Sequence, residues 1–252
     1  MFRHILITGA SSGLGLALAR QYASPGVTLG LTGRNEERLR EAADACRALG
    51  AEVVSGVLDV REGFKLAEWV HDFDERYPVD LVIANAGITY SVNGGVPLEP
   101  RAAIRDVMDT NFSGVIDTVN PLLKRMCDRG GGTAVIIGSL SAYRGIPLFP
   151  SYAASKAAIK TYYEGIRGAM RRDGVTITIA CPGFIETPMT EKLRTSRWMQ
   201  MQVDKAARII VKGVARGRAN ISFPRLHLLG LRLLQWLPEK WGDWILVKLF
   251  LN

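Results

Sequence analysis

A chain of 252 residues, 48% hydrophobic and 22% charged, has the composition of a globular protein and the length for one α/β domain; disordered and collagen-like classes are excluded. Three widely spaced cysteines, Cys46, Cys127 and Cys181, form neither a disulfide framework nor a metal-ligand pattern, so reduced thiols, a cytoplasmic setting and no metal are expected. The net charge of +8 lies wholly from Glu191 onward, where twelve Lys and Arg face four Asp and Glu, while the first 190 residues carry twenty of each. That asymmetry suits an anionic partner (lipid headgroups, an acidic carrier or an anionic substrate), or simply a solvated basic surface.

Arg3 to Thr8 reads as a short buried strand, entered with no long apolar leader. It runs into Thr8-Gly-Ala-Ser-Ser-Gly-Leu-Gly15 and a helical pattern to about Ala23. Glycines between strand and helix let backbone approach a ligand closely, and the helix N-terminus offers free N–H groups to a pyrophosphate. Val27 to Thr32 is a second strand. At its end an NAD-binding unit would place an acid for the ribose hydroxyl. Gly33 and Arg34 stand there instead. An arginine binds a 2′-phosphate that an acid would repel, so NADP(H) is expected. The plainer alternative is a surface arginine capping the acidic helix start at Glu36 and Glu37.

A helix to about Leu49, a strand from Ala51 to Leu58 and a helix from about Glu62 to Arg76 follow. Asp80 to Ala84 is a fourth strand that ends in Asn85-Ala-Gly87. A loop rich in Gly and Pro spans 88–100. One long helical region is predicted over Arg101–Arg129, with Asn111 in its middle; asparagine is a poor residue there, which suggests a kink or a special task. Ala134 to Gly138 is a fifth strand with Ser139 at its C-terminal end, the edge where open parallel sheets bind ligands. In the next helix, from Tyr152 to about Arg172, Tyr152 and Lys156 are four apart and share a face. An ammonium beside a phenol favours the phenolate, which suits a general acid or base. Val175 to Cys181 and Asn220 to Phe223 complete seven strands, with a mobile flap over 185–203 and a helix from Asp204 to about Arg216. The alternation indicates a doubly wound parallel sheet with helices on both faces.

Seven motifs now stand in one order: TGASSGLG at 8–15, Asp59, NAG at 85–87, Asn111, Ser139, YAASK at 152–156 and PGFIET at 182–187. Together they resemble the short-chain dehydrogenase/reductase family, over about residues 3–223. The resemblance implies a single-domain Rossmann-type fold and an NADP(H) cofactor. Gly9, Gly13 and Gly15 would line the pyrophosphate, with Ser11, Ser12 and Leu14 of the same turn. Arg34 would bind the 2′-phosphate. Asp59, beside Val60, would bond the adenine amino group, and Asn85, Ala86 and Gly87 would support the adenosine ribose side. Pro182, Gly183, Ile185 and Thr187 would meet the nicotinamide end. Ser139 would hydrogen-bond a substrate carbonyl and Tyr152 would donate the proton. Lys156 would bind the nicotinamide ribose and lower the tyrosine pKa, and Asn111 would hold a water linking Lys156 to solvent. The histidines His4, His71 and His227 lie in no motif and read as structural or exposed.

The implied function is an NADPH-dependent carbonyl reductase, or the reverse secondary-alcohol dehydrogenase, working as a homodimer or homotetramer. Basic flap residues Lys192, Arg194 and Arg197 beside apolar Met189, Trp198, Met199 and Met201 suggest a bulky or amphipathic substrate. A reductase step in surface polysaccharide or glycolipid synthesis is an alternative, as is a non-catalytic NADP(H)-binding sensor or scaffold. Residues 224–252 form an apolar extension in which Pro238 splits two helical segments; charges interrupt both, so neither spans a membrane. Trp236, Trp241 and Trp244 with basic neighbours fit a subunit contact, a membrane-surface element or a pocket wall. A tail this apolar argues against nucleic acid.

Overall fold

The computed structural model describes residues 2–92, 98–191 and 200–250. Seven parallel strands form one sheet in the order β3-β2-β1-β4-β5-β6-β7, with β1 at His4–Thr8, β2 at Thr28–Gly33, β3 at Glu52–Val57, β4 at Leu81–Ala84, β5 at Gly132–Ile137, β6 at Val175–Pro182 and β7 at Asn220–Phe223. The central strands are apolar on both faces because both are covered. β4 reads Leu-Val-Ile-Ala and is buried throughout, whereas edge strand β3 exposes Glu52, Ser55 and Val57.

Alternate strand residues feed two cores. Ile5 and Ile7 of β1 face α1 (Gly13–Tyr22), α2 (Glu36–Arg47) and α7 (Val203–Ala215), through Leu18, Leu39 and Ile210. Leu6 of β1 faces the other way, toward α3 (Gly63–Arg76), α5 (Gly114–Asp128) and α6 (Pro150–Met170), through Phe73, Leu122 and Ile159. The strand order reverses direction between β1 and β4, which opens a crevice beyond their carboxyl ends.

The long helix predicted over 101–129 is three pieces: α4 (Arg101–Met108), a π-helical turn (Asp109–Ser113) and α5. Asn111 lies in the π-turn, a distortion that often marks functional sites. After β7 come α8 (Arg225–Trp236) and α9 (Glu239–Phe250), split at Pro238 as expected. They fold back over the 139–147 loop. Asp243 pairs with Arg144 at 2.6 Å, Gln235 donates to the Tyr143 carbonyl, and Leu246 is buried. Of the expected flap, Lys192, Arg194, Arg197, Trp198 and Met199 lie outside the described residues; Ile185 bridges to Met201 in parallel fashion.

Candidate active site

The crevice at the β1/β4 switch point holds a cavity of about 910 Å³. The glycine-rich turn forms its floor. Gly9 and Gly13 have φ of +66° and +54°, a region where side chains are strained. A Cβ on Gly15 would lie 2.2 Å from the Gly9 carbonyl oxygen, so only hydrogen fits there. Ser12 caps α1 by position but makes no side-chain cap bond, so the first N–H groups of the helix stay available to an anion.

Asn85 locks this turn to β4. Its Nδ2 donates to the carbonyls of Thr8 at 3.0 Å and Gly9 at 3.1 Å, while the Asn85 and Ala86 amides both donate to Thr8 Oγ1 at 3.2 Å. Both side-chain donors of Asn85 are therefore spent on the protein. It holds the turn against β4, and Thr8 is its unforeseen partner.

At the far end, Arg34, just ahead of the α2 N-cap, and Arg38, in the first turn of α2, both line the cavity. Asn35, not Arg34, caps α2, accepting from the Arg38 amide at 2.8 Å. The capping alternative for Arg34 therefore falls away. Arg34 stands 3.7 Å from Asp59, and Arg61 grips the same carboxylate at 2.8 Å. Hydrogen bonds from the Arg61 side chain hold the Asp59 carboxyl below its ordinary pKa. Arg38 and Arg61 escaped the sequence reading, although Arg38 is legible as the residue four beyond Arg34.

Ser139, Tyr152, Lys156 and Asn111 converge where β5 ends. Ser139 Oγ accepts from the Ser141 amide at 3.1 Å and the Ser141 hydroxyl at 2.9 Å, which leaves its own proton free to donate. Lys156, buried on α6, donates to the Ile137 carbonyl at 2.8 Å, and its Nζ lies 5.7 Å from the Tyr152 ring centre. Burial pushes the Lys156 ammonium down to about 8. Burial also pushes the Tyr152 phenol up to about 12, against the smaller downward pull of a hydrogen bond with Ser139. The lowered tyrosine pKa expected from the sequence is thus corrected: here loss of water outweighs an ammonium that is turned to a backbone carbonyl.

Asn111 is fully buried, with both of its side-chain donors committed. It accepts from the Ile88 amide at 2.8 Å and donates to the Ile88 carbonyl at 2.9 Å and to Ser155 Oγ at 3.0 Å. Ser155 in turn donates to the Tyr152 carbonyl at 2.8 Å, tying the π-turn to α6. Ser155 was an unnoticed letter of the YAASK motif. Near Thr187, Thr190 Oγ1 accepts from the Thr187 amide at 3.0 Å and donates to the Ile185 carbonyl at 2.6 Å.

A second cavity, of about 300 Å³, adjoins the first. Leu140, Ile146, Phe149 and Phe184 line it, and α8 and α9 close it with Leu231, Leu234, Leu246 and Phe250. His227, expected from the sequence to be structural or exposed, also lines this wall. Ser139 and Tyr152 line both cavities, whereas Lys156 lines only the larger.

A family model described as short chain dehydrogenase matches residues 3–198. The chain belongs to the short-chain dehydrogenase/reductase family. As such it is an oxidoreductase that works between hydroxyl and carbonyl groups. It is 34% identical to an uncharacterized oxidoreductase of Myxococcus xanthus, over 96% of this chain and 95% of that one. A putative ketoacyl reductase of Streptomyces coelicolor is 35% identical, over 75% and 73% of the two chains. The fold matches a Burkholderia phymatum short-chain dehydrogenase/reductase solved with NAD, at TM-score 0.83 and 24% identity, over 92% of each chain. Among the described residues no group of side chains could hold a metal ion.

The larger cavity fits a dinucleotide on its own evidence. It has an uncapped helix N-terminus beneath it and two arginines at one end. The hydroxyls of Thr32 and Thr110, buried in its wall, have no hydrogen-bond partner among the described residues.

Proposed function

We propose that this protein is an NADPH-dependent reductase of a bulky, largely apolar ketone. The observation that carries the reading is the shared wall: Ser139 and Tyr152 face the dinucleotide cavity on one side and the apolar chamber on the other. Arg34 and Arg38, with Gly33 where an acid would repel a 2′-phosphate, support NADP(H) over NAD(H).

A bound nicotinamide would supply the hydride. The protein's own share is to meet the charge that grows on the carbonyl oxygen. Ser139 holds that oxygen with the proton its two Ser141 bonds leave free. Tyr152, kept protonated by burial, gives up its proton as the oxygen becomes basic; both donors are worth most in the transition state. Lys156 is charged at neutral pH and stabilises the tyrosinate that remains. Proton resupply would pass near Asn111. Both side-chain N–H donors of Asn111 are spent, but its Oδ1 accepts only the Ile88 amide, so a relay water would be met by the remaining lone pair of that oxygen.

A glycan substrate would need donors and acceptors along the whole chamber, and Leu, Ile and Phe make up most of its lining, with polar groups few beside them. Four intact catalytic side chains speak against a mere sensor. Self-association as a dimer or tetramer belongs to the same reading and is checked by light scattering. The test of function is a screen of ketones graded in size and polarity, followed by NADPH absorbance. Bulky apolar ketones should give the highest kcat/KM. Turnover only of polar sugars, or of nothing across the series, would sink the reading.

A further inference from the structure

The C-terminal helix pair has a second face that reduction does not use. The inner side of α8 packs on the domain through Leu228 and lines the chamber through Leu231 and Leu234. Its outer side repeats Leu226, Leu229, Leu233 and Trp236 at helical spacing, 77%, 54%, 58% and 88% exposed. On α9, Trp241 and Trp244 are 64% and 58% exposed. Isolated apolar side chains at a surface need no explanation, but a patch of this extent marks an interaction site.

Cations accompany the patch: Arg225, Lys240 and Lys248 are exposed on these two helices, and Lys248 lies 5.0 Å from the centre of the Trp244 ring, while Arg232 is turned onto the Tyr143 ring at 5.7 Å. Of the two acids on the helices, Asp243 is engaged by Arg144. Among the described residues no helix is long and apolar enough to cross a membrane. Short amphipathic helices carrying Trp and basic residues lie instead in the plane of the headgroups. The chamber also opens on this face: Leu226, Gly230 and Leu249 line it and are themselves exposed.

We propose that the outer face of α8 and α9 docks on an anionic phospholipid surface, and that the chamber draws its carbonyl substrate from the lipid through the mouth beside Leu226 and Leu249. A second copy of the chain is a poorer occupant, because a two-fold contact sets each patch against itself and brings like charges together. An acidic protein would satisfy the cations but needs its own apolar surface to cover rows of Leu and Trp. Docking stands on the patch alone; delivery rests also on the carbonyl-reductase reading.

The test is co-sedimentation of the full chain with phosphatidylcholine vesicles, with and without phosphatidylglycerol. Binding should require the anionic lipid and should weaken in high salt without vanishing, since apolar insertion persists. The triple variant Leu229→Glu, Leu233→Glu, Trp236→Glu should bind at least about tenfold less and still reduce a small soluble ketone at the normal rate, because none of the three lines the chamber. Trp241→Ser with Trp244→Ser should weaken binding from α9 in the same way. An apolar ketone embedded in the vesicles should be reduced faster by the native protein than by either variant. Failure of the native protein to bind anionic vesicles overturns docking. A drop in solution mass of the triple variant, together with that failure, assigns the face to a second copy. Vesicle binding with equal turnover of embedded ketone by all three proteins overturns delivery alone. Vesicle binding with no ketone reduced in any form sinks the reductase reading and leaves docking standing.

Discussion

The two cavities that share Ser139 and Tyr152 are made in opposite ways. The dinucleotide cleft mixes backbone, polar and apolar groups, and its frame is held by named bonds: Asn85 to the glycine-rich turn, Asn111 to Ile88, Arg61 to Asp59. The apolar chamber is closed by two helices added after the last strand, through packing and a few clasps such as Arg144 to Asp243. Hydrogen bonds prescribe distance and direction, whereas apolar packing accepts any side chain of suitable volume. The chemistry is therefore held rigidly on one side of the shared wall, and substrate choice can vary on the other.

The sharpest way to break this division is at the wall itself. Tyr152→Phe should lower kcat by about 10² to 10⁴, the range supplied by a positioned acid. NADPH affinity, followed by fluorescence titration, should stay within a few-fold. A mutant that keeps most of its turnover would remove Tyr152 from the role of acid.

On the cleft side, Arg34→Ala should weaken NADPH by about ten- to a hundredfold, the usual cost of a lost hydrogen bond to a charged group, and leave NADH nearly unchanged. The figure is kept moderate because the Arg34 side chain is 57% exposed and Arg38 stands nearby. Equal weakening of both cofactors would show that the cleft does not read the 2′-phosphate through Arg34.

Lys156 joins catalysis to stability. Reduction, followed as kcat/KM against pH, should be level up to about 8 and fall above it as the ammonium is lost, by about tenfold per unit at the limit. Because the folded pKa lies below that of an unfolded lysine, the unfolded chain binds the extra proton above about pH 8. The cost of burying this charge is thus full below that pH and is relieved as pH rises. Lys156→Met should abolish this rise, inactivate the enzyme and raise Tm at pH 7 by a few degrees. A lower Tm would mean that the bond to the Ile137 carbonyl outweighs the desolvation.

The smallest effect on turnover is expected on the chamber side. Leu246→Ala removes a buried side chain that closes the chamber, so it should destabilise the fold by about 2–4 kcal/mol in urea titrations. It should raise KM for bulky ketones several-fold and leave NADPH affinity intact. A large loss of NADPH affinity would show that the two cavities are not separately built.

Sequence alone determined the strand–helix alternation, the glycine-rich turn and the order of the residues proposed for catalysis, because period-two and period-3.6 patterns and short motifs are local. It also placed Asn111 in a distorted stretch of helix, since an asparagine there competes for backbone bonds. Tertiary structure decided what depends on residues far apart in the chain. Burial, not the nearby lysine, sets the Tyr152 pKa. Asn85 is spent on Thr8 and Gly9 across 77 and 76 residues of sequence. Arg61 holds Asp59, and His227 reaches the chamber wall. Above all, the tail left three fates open in the sequence, because an apolar helix has no intrinsic destination. Folding back over the 139–147 loop made one side of it a wall of the chamber and left the other exposed, a division set by where β7 ends and which face of each helix meets the sheet.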